Sequence, residues 1–318
     1  MRPRVIMVLA IATIVLGAAL LVPAALGTFS GGNGPLGLNL AGTRPTPPPP
    51  SAPPPPSLRP ASVQVPVDGF LSWALLDRAT GEISGSPNRT ATNSTESMIK
   101  VWLVSDYLRR LGDKQPPAER LKQASRAIRN SDDKAAESLF NAGGRGPVID
   151  RLIDMCGLTA TKKAKPPGKS YIGWAYTQIS APDAARLGDC VASGKAAGPK
   201  WTPWVLEEMT KVEGSTAAKD QQRTSGGGRW GIIDGLPKSI LDQGPVSIKN
   251  GWTLINADGL WHLNCLAVTD EWSLAVLMRY PGKAGLKYGA TTCATVTSQL
   301  VTPQPGAALK VPQPLGKA

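Results

Sequence analysis

Histidine occurs once in the 318 residues, cysteine four times, and no acidic residue stands among the first 60. Each scarcity excludes something. With His262 as the only histidine, Ser-His-Asp catalysis has little room, and His262 reads as a strand residue with a structural role. The cysteines, Cys156, Cys190, Cys265 and Cys293, show neither a C-x-x-C pair nor a histidine at metal-ligand spacing, so no metal site and no cofactor is implied. No block of five like charges and no nucleic-acid motif accompanies the net charge of +12, which argues against a nucleic-acid partner. No internal repeat is present. No glutamate lies between Glu137 and Glu207, a gap that bears on chemistry below.

What is present is unevenly distributed. Behind two arginines, residues 5–27 form an uncharged apolar run of 23 residues. A secretory signal core needs about 7–15 apolar residues and a membrane span about 20, so this length suggests an uncleaved anchor with the arginines inside. A cleaved signal ending after Gly27 is the alternative. Residues 43–60, "TRPTPPPPSAPPPPSLRP", read as an extended polyproline spacer. The last stretch, 302–318, is again Pro-rich and reads as disordered. The expected organisation is therefore an anchor or signal over 1–27, a Gly/Pro-rich linker over 28–63, one folded domain over 64–301 and a tail over 302–318. The basic surplus suits anionic lipid headgroups or cell-wall polymers, or solubility alone. In an exported chain the four cysteines predict two disulfides. Three pairings are possible; the sequential one, Cys156 with Cys190 and Cys265 with Cys293, is the expectation.

Along the domain, "VDGFLSWALLDRATGEISG" shows two strand-like runs around a glycine-containing turn. Helical patterns follow at 96–112, 117–130, 132–141 and 146–157, and Ser180 with Asp183 makes a variant capping box that starts another helix. After the Gly-rich "TSGGGRWG", three strand-like segments, "PVSIKNGWTLI", "WHLNCLAVTD" and "WSLAVLMRY", precede a closing helix in "GATTCATVTSQLV". Strands at both ends and helices between them predict an α+β fold: one antiparallel sheet of N- and C-terminal strands with flanking helices, plus a helical lobe.

Three short motifs stand out. Ser97 and Lys100 lie one helical turn apart, so an amine can neighbour a hydroxyl, as a nucleophile and its base would. Ser131-Asp132-Asp133 opens a helix, and Lys249-Asn250-Gly251 sits in a strand. Taken singly, each has a plain reading: a helix start with a solvated lysine, an N-cap with acidic first-turn residues, and a turn.

Taken in order, they resemble the S-x-x-K, S-D-N and K-T-G motifs of the serine β-lactamases and penicillin-binding proteins. "DGLPKS" at 234–239 is similar to the class A sequence at that place, and "KNGW" with a later "WHLN" resembles the exported β-lactamase-related serine hydrolases of actinobacteria. The resemblance covers about residues 65–300. It implies Ser97 as nucleophile, Lys100 as its base, with a pKa lowered by Lys249 and by partial burial, and Ser131 as proton donor to the leaving nitrogen. Asp133, Lys249, Asn250, Gly251 and Trp252 would bind substrate. The N–H groups of Ser97 and Trp252 would receive the oxyanion, and Lys249 would attract a substrate carboxylate.

The implied activity is that of an extracytoplasmic serine hydrolase acting on cell-wall D-alanyl peptides or β-lactams. Three departures matter. Asp133 stands where the family has an asparagine that donates to a substrate carbonyl, a role the Asn250 amide would take over in part. The 34 residues from Ser97 to Ser131 imply a trimmed helical lobe. The loop glutamate that activates water in class A enzymes is missing, so "KKAKPPGKSYIGWAYTQ" offers Tyr171, Trp174, Tyr176 and Thr177 instead. Slow deacylation follows, and a domain that only binds peptidoglycan or a partner protein is the rival reading.

Overall fold

The computed structural model describes residues 55–302; the apolar run 5–27, most of the linker and the tail beyond Thr302 lie outside the described residues. Strands β1 (Phe70–Asp77) and β2 (Ile83–Gly85) form the expected hairpin. Its turn is set by Asp77, whose Oδ1 accepts from the N–H groups of Ala79 (2.9 Å) and Thr80 (3.1 Å). Next come β3 (Thr92–Ser94), a 3-10 turn (Glu96–Ile99), and α1 (Lys100–Arg110), α2 (Ala118–Arg129), α3 (Asp133–Ala142) and α4 (Gly146–Cys156). The chain returns through β4 (Gln178–Ser180), which pairs with β3, into α5 (Ala181–Ala192), where the Ser180 side chain accepts from Asp183 N as its capping pattern predicts.

Sequence reading missed α6 (Thr202–Thr210), a nine-residue helix started by Pro203 in its first turn. A small hairpin, β5 (Gln221–Gln222) and β6 (Ser225–Gly226), and a single turn, α7 (Lys238–Leu241), follow. The run expected as one strand at 245–255 is split into β7 (Ser247–Ile248) and β8 (Gly251–Ile255), both paired with β9 (Leu260–Val268). β10 (Trp272–Pro281) and α8 (Gly285–Leu300) complete the domain.

The architecture is α+β. The sheet runs β2-β1-β10-β9, with β7 and β8 sharing the far edge of β9, and every pairing is antiparallel. β9 and β10 are buried on both faces from Leu263 to Val268 and from Trp272 to Met278, because helices cover both sides. Alternation along the strands shows which: an added Cβ on Gly188 of α5 would meet Leu266 and Ser273, whereas Cys265, one residue away on the opposite face, is bonded to Cys293 of α8.

In the helical lobe, α1 is buried almost all round from Lys100 to Leu108, and Val101, Trp102, Leu103, Val104 and Leu108 are at most 1% exposed. Such a helix belongs at the centre of a bundle, and α2, α3, α4, α5 and α6 all pack against it or its neighbours. Both disulfides pair as expected: Cys156–Cys190 ties α4 to α5, and Cys265–Cys293 ties β9 to α8. The first and last of the described residues meet: Leu58 is buried and bridges Val301, while Thr302 N donates to Ser57 O. Residues 57–59, which composition assigns to the linker, therefore lie against the domain.

Candidate active site

The segment "NSTESMIK" passes from β3 into a 3-10 turn, so Ser97 sits in the turn, half-buried, and Lys100 is the first residue of α1. Glu96, directly before Ser97, adopts φ +46°, and Ser131 adopts φ +51°. Left-handed backbone at a non-glycine residue is strained and persists only where surroundings impose it. Asp132 caps α3 by accepting from Ala135 N at 3.0 Å. Asp133 N donates to Thr224 O, which fixes the β5-β6 hairpin against this corner.

Lys100, Ser131 and Lys249 converge. Lys100 Nζ, wholly buried, donates to Ser131 O (2.6 Å), Ser131 Oγ (3.3 Å) and Asp133 Oδ1 (2.6 Å). An ammonium has three donors, and all three are taken. The Ser97 hydroxyl is not among the acceptors, contrary to the expectation from the one-turn spacing; the Asp133 carboxylate draws the amine away. Lys249 Nζ, also wholly buried, lies 3.1 Å from Ser131 Oγ and 2.8 Å from Asn250 O. Burial pushes the Lys100 amine down from its ordinary pKa, while Asp133 pulls it back. Lys249 is therefore not the source of that shift. Burial and then the Lys100 charge push Lys249 much further down, and no carboxylate bonds it. Of the two amines, Lys249 is the one driven towards its neutral form.

The rest of the third motif divides. Asn250 Nδ2 is used internally, donating to Gly228 O (2.8 Å) and Trp230 O (2.7 Å), so it does not compensate for Asp133. Asn250 lies in the two-residue gap between β7 and β8, where Lys249 N still donates to Leu266 O of β9 (3.0 Å). Gly251 is required where it stands: a Cβ there would fall 2.4 Å from Met98 N and 2.7 Å from Ser97 N. β8 thus begins against the backbone of the Ser97 turn. Trp252 Nε1 donates to Gln221 Oε1 of β5 at 3.0 Å.

Among solved structures, the chain is similar to a β-lactamase from Desulfarculus baarsii (15% identity, TM-score 0.53), covering 73% of this chain and 91% of that one. A class A β-lactamase from Mycobacterium abscessus (14%, 0.53; 73% and 92%) and a β-lactamase from Xanthomonas campestris (15%, 0.52; 73% and 91%) agree. The fold is that of the serine β-lactamases. No family model and no curated protein matches the sequence.

Within this β-lactamase fold, two groupings escaped the sequence reading, although Tyr171, Trp174, Tyr176 and His262 were singled out one by one. The 162–178 loop carries no carboxylate, yet α3 delivers Glu137 to it. Glu137 accepts from Arg145 and from Trp174 Nε1, so both oxygens are engaged. Trp174 in turn lays its ring 5.0 Å from Lys100 Nζ. With Tyr171, Tyr176 and Arg145 it lines an open cavity of about 500 Å³. On the other side of Ser97, Glu96 is buried and accepts from Ser94 Oγ (2.7 Å) and Thr253 Oγ1 (2.6 Å). Ser94 Oγ is 2.8 Å from His262 Nδ1, whose Nε2 is 2.9 Å from Asp258 Oδ2. The order Asp-His-Ser is that of a hydrolytic triad, but Ser94 is 2% exposed and offers no room for a substrate. A glutamate abutting the nucleophile motif was the only signal for this group, and no spacing rule connects it to Asp258.

Proposed function

We propose that the protein is an extracytoplasmic serine hydrolase that forms an acyl-enzyme at Ser97 and releases it slowly, with cell-wall D-alanyl peptides or β-lactams as substrates. The observation that carries this reading is the convergence of Lys100, Lys249 and the Ser131 hydroxyl in one buried cluster a helical turn from Ser97. Ser97 Oγ attacks the carbonyl carbon; the new C–O bond forms as the oxygen's proton passes to the lysine-Ser131 cluster. Ser131 then protonates the departing nitrogen as the C–N bond breaks. Backbone N–H groups of Ser97 and Trp252 receive the developing oxyanion.

The resting Lys100–Asp133 pair has to give up a proton before Lys100 can act as base, so acylation rises with pH. Slow release fits the carboxylates available: Asp133 holds Lys100, Glu137 holds Arg145 and Trp174, and Glu96 is buried. The two disulfides suit an oxidising compartment. Attachment to the membrane through residues 5–27 as an uncleaved anchor, or secretion where that run is a cleaved signal, belongs to the same proposal.

The Lys100–Asp133 pair also favours a second reading, a domain that binds peptidoglycan or a partner without turnover. Intact mass of the full chain with a penicillin separates the two. A stable adduct that maps to Ser97 and is lost in Ser97→Ala supports the enzyme; a folded protein that takes no adduct from any β-lactam or thioester leaves the binding domain.

A further inference from the structure

We propose that Glu96 is a positioning residue for acylation: with Thr253 it braces the oxyanion site from behind, and through Ser94 it shares a proton with His262 and Asp258. This rests on the reading of Ser97 as nucleophile. The brace follows from the sequence positions. Glu96 directly precedes Ser97, and Thr253 directly follows Trp252, so the bond from Thr253 Oγ1 to Glu96 Oε2 ties together the neighbours of the two oxyanion donors. The same two segments touch where Gly251 meets Ser97 N. The left-handed backbone of Glu96 points its carboxyl into this position, and strain of that kind needs a firm anchor.

The shared proton follows from counting hydrogens. Ser94 has one hydroxyl proton and two partners, Glu96 Oε1 and His262 Nδ1. When Glu96 is protonated, its O–H donates to Ser94, Ser94 donates to Nδ1, and His262 donates from Nε2 to Asp258. Every link is then made. When Glu96 is ionised, it takes the Ser94 proton, because a charged acceptor forms the stronger bond. Ser94 can then only accept from His262, which must move its proton to Nδ1 and lose its bond to Asp258. Thr253 behaves likewise, since its single proton lies between Glu96 and Trp252 O at 2.7 Å. An ionised Glu96 captures that proton and tightens the brace.

The surroundings set where this happens. Burial raises Glu96 to about 7, with Asp133 adding to the rise and Thr253, Ser94 and Lys100 opposing it. Glu96 in turn helps to raise the Tyr176 hydroxyl. Burial lowers His262, with Arg279 adding to the fall and Asp258 opposing it. Near neutrality, therefore, the carboxyl changes state while the imidazole stays neutral and changes tautomer.

The single histidine makes the test direct. In the full chain labelled with 15N-histidine, the His262 ring should switch from the Nε2–H to the Nδ1–H tautomer near pH 7. In parallel, penicillin adduct formation should show a step near the same pH. Glu96→Gln should abolish both. Thr253→Val, an isosteric change at an exposed strand position, should keep the tautomer switch but slow acylation about tenfold, the effect of one lost charge-assisted bond. A constant His262 tautomer overturns the shared proton. A tautomer switch with unchanged acylation in both variants overturns the positioning role. No adduct in the unmodified protein overturns the parent reading, and the brace function with it, while the histidine titration still decides the shared proton.

Discussion

On one side of the Ser97 turn, two amines, Lys100 and Lys249, meet at the Ser131 hydroxyl; on the other, a carboxyl and an imidazole, Glu96 and His262, meet at the Ser94 hydroxyl. Burial acts on both groups in the same sense, towards the uncharged form, lowering the amines and the imidazole and raising the carboxyl. In both, a serine hydroxyl is the link that can donate to one partner and accept from the other. They differ in their openings. The cationic network reaches solvent at Asp133, whose side chain is 44% exposed. The carboxyl network reaches it at Asp258, at 40%, away from Ser97 along β9. On the proposed function, the first network would exchange a proton with a substrate, whereas the second would only change which of its members holds one.

The largest effect is expected from breaking the first network. Lys100→Ala should slow adduct formation at Ser97 by about 10²–10⁴-fold, the usual contribution of a proton-transfer partner. The fold should survive, because the Asp133 left behind is exposed enough to be hydrated. Stopped-flow or timed mass measurements at saturating penicillin check this, and a rate within threefold of the unmodified protein would remove Lys100 from the mechanism.

Next in size is the support of the second network. Cys265 neighbours Asn264, whose amide donates to Ser94 O (2.8 Å) and Thr95 O (3.1 Å) and so holds the strand leading into Ser97. Replacing Cys265 and Cys293 with serine opens a loop of sequence separation 28, worth about 3–4 kcal/mol in the chain-entropy model. A thermal melt should fall by about 10 °C. The Cys156–Cys190 bridge closes a comparable loop in the helical lobe, so its loss should lower the melt similarly while leaving the His262 titration unchanged.

These two networks also mark how far the sequence could be read. Ser97, Lys100, Ser131 and Lys249 were recognisable because three motifs fall in order on helix, helix and strand, and the structure brings the last three into contact. The sheet and the five helices α1 to α5 were carried by strong periodicity or a capping pair. α6 was not, since its nine residues, TPWVLEEMT, are too few to show an apolar stripe. The direction of Lys100, the inward turn of Asn250 and the Glu96 chain depend on tertiary neighbours. Thr253 and Glu96 are 157 residues apart, and nothing local in either segment encodes their bond.

A smaller effect comes from neutralising Glu96. Its pKa in the fold, about 7, lies above the ordinary 4.5, so the folded state binds more protons between those values. The stability this provides is complete below pH 4.5 and is lost as pH rises through 7. Glu96→Gln removes the titration. The stability of the variant relative to the unmodified protein should therefore improve by about 2–3 kcal/mol between pH 4.5 and pH 8.5. Urea denaturation at the two pH values measures it, and a pH-independent difference would show that Glu96 ionises in the fold as it does in the unfolded chain.

The smallest effect, and the one that compares the networks most directly, is that of Asp133→Asn. The carboxylate favours the charged form of Lys100, so its removal lowers the amine's pKa and raises the fraction able to take a proton at a given pH. Adduct formation near neutral pH should speed up about tenfold, with the rising limb of the pH profile moved to lower pH. The asparagine also brings an N–H donor that a carboxylate lacks, which should tighten substrate binding. Asp133→Ala separates the two contributions: it shares the shift of the pH limb but not the tighter binding. Because Asp133 lies among the neighbours that raise Glu96, both variants should also move the His262 tautomer switch slightly towards lower pH. If the acylation limb moves and the histidine does not, the networks on the two sides of Ser97 are electrostatically independent.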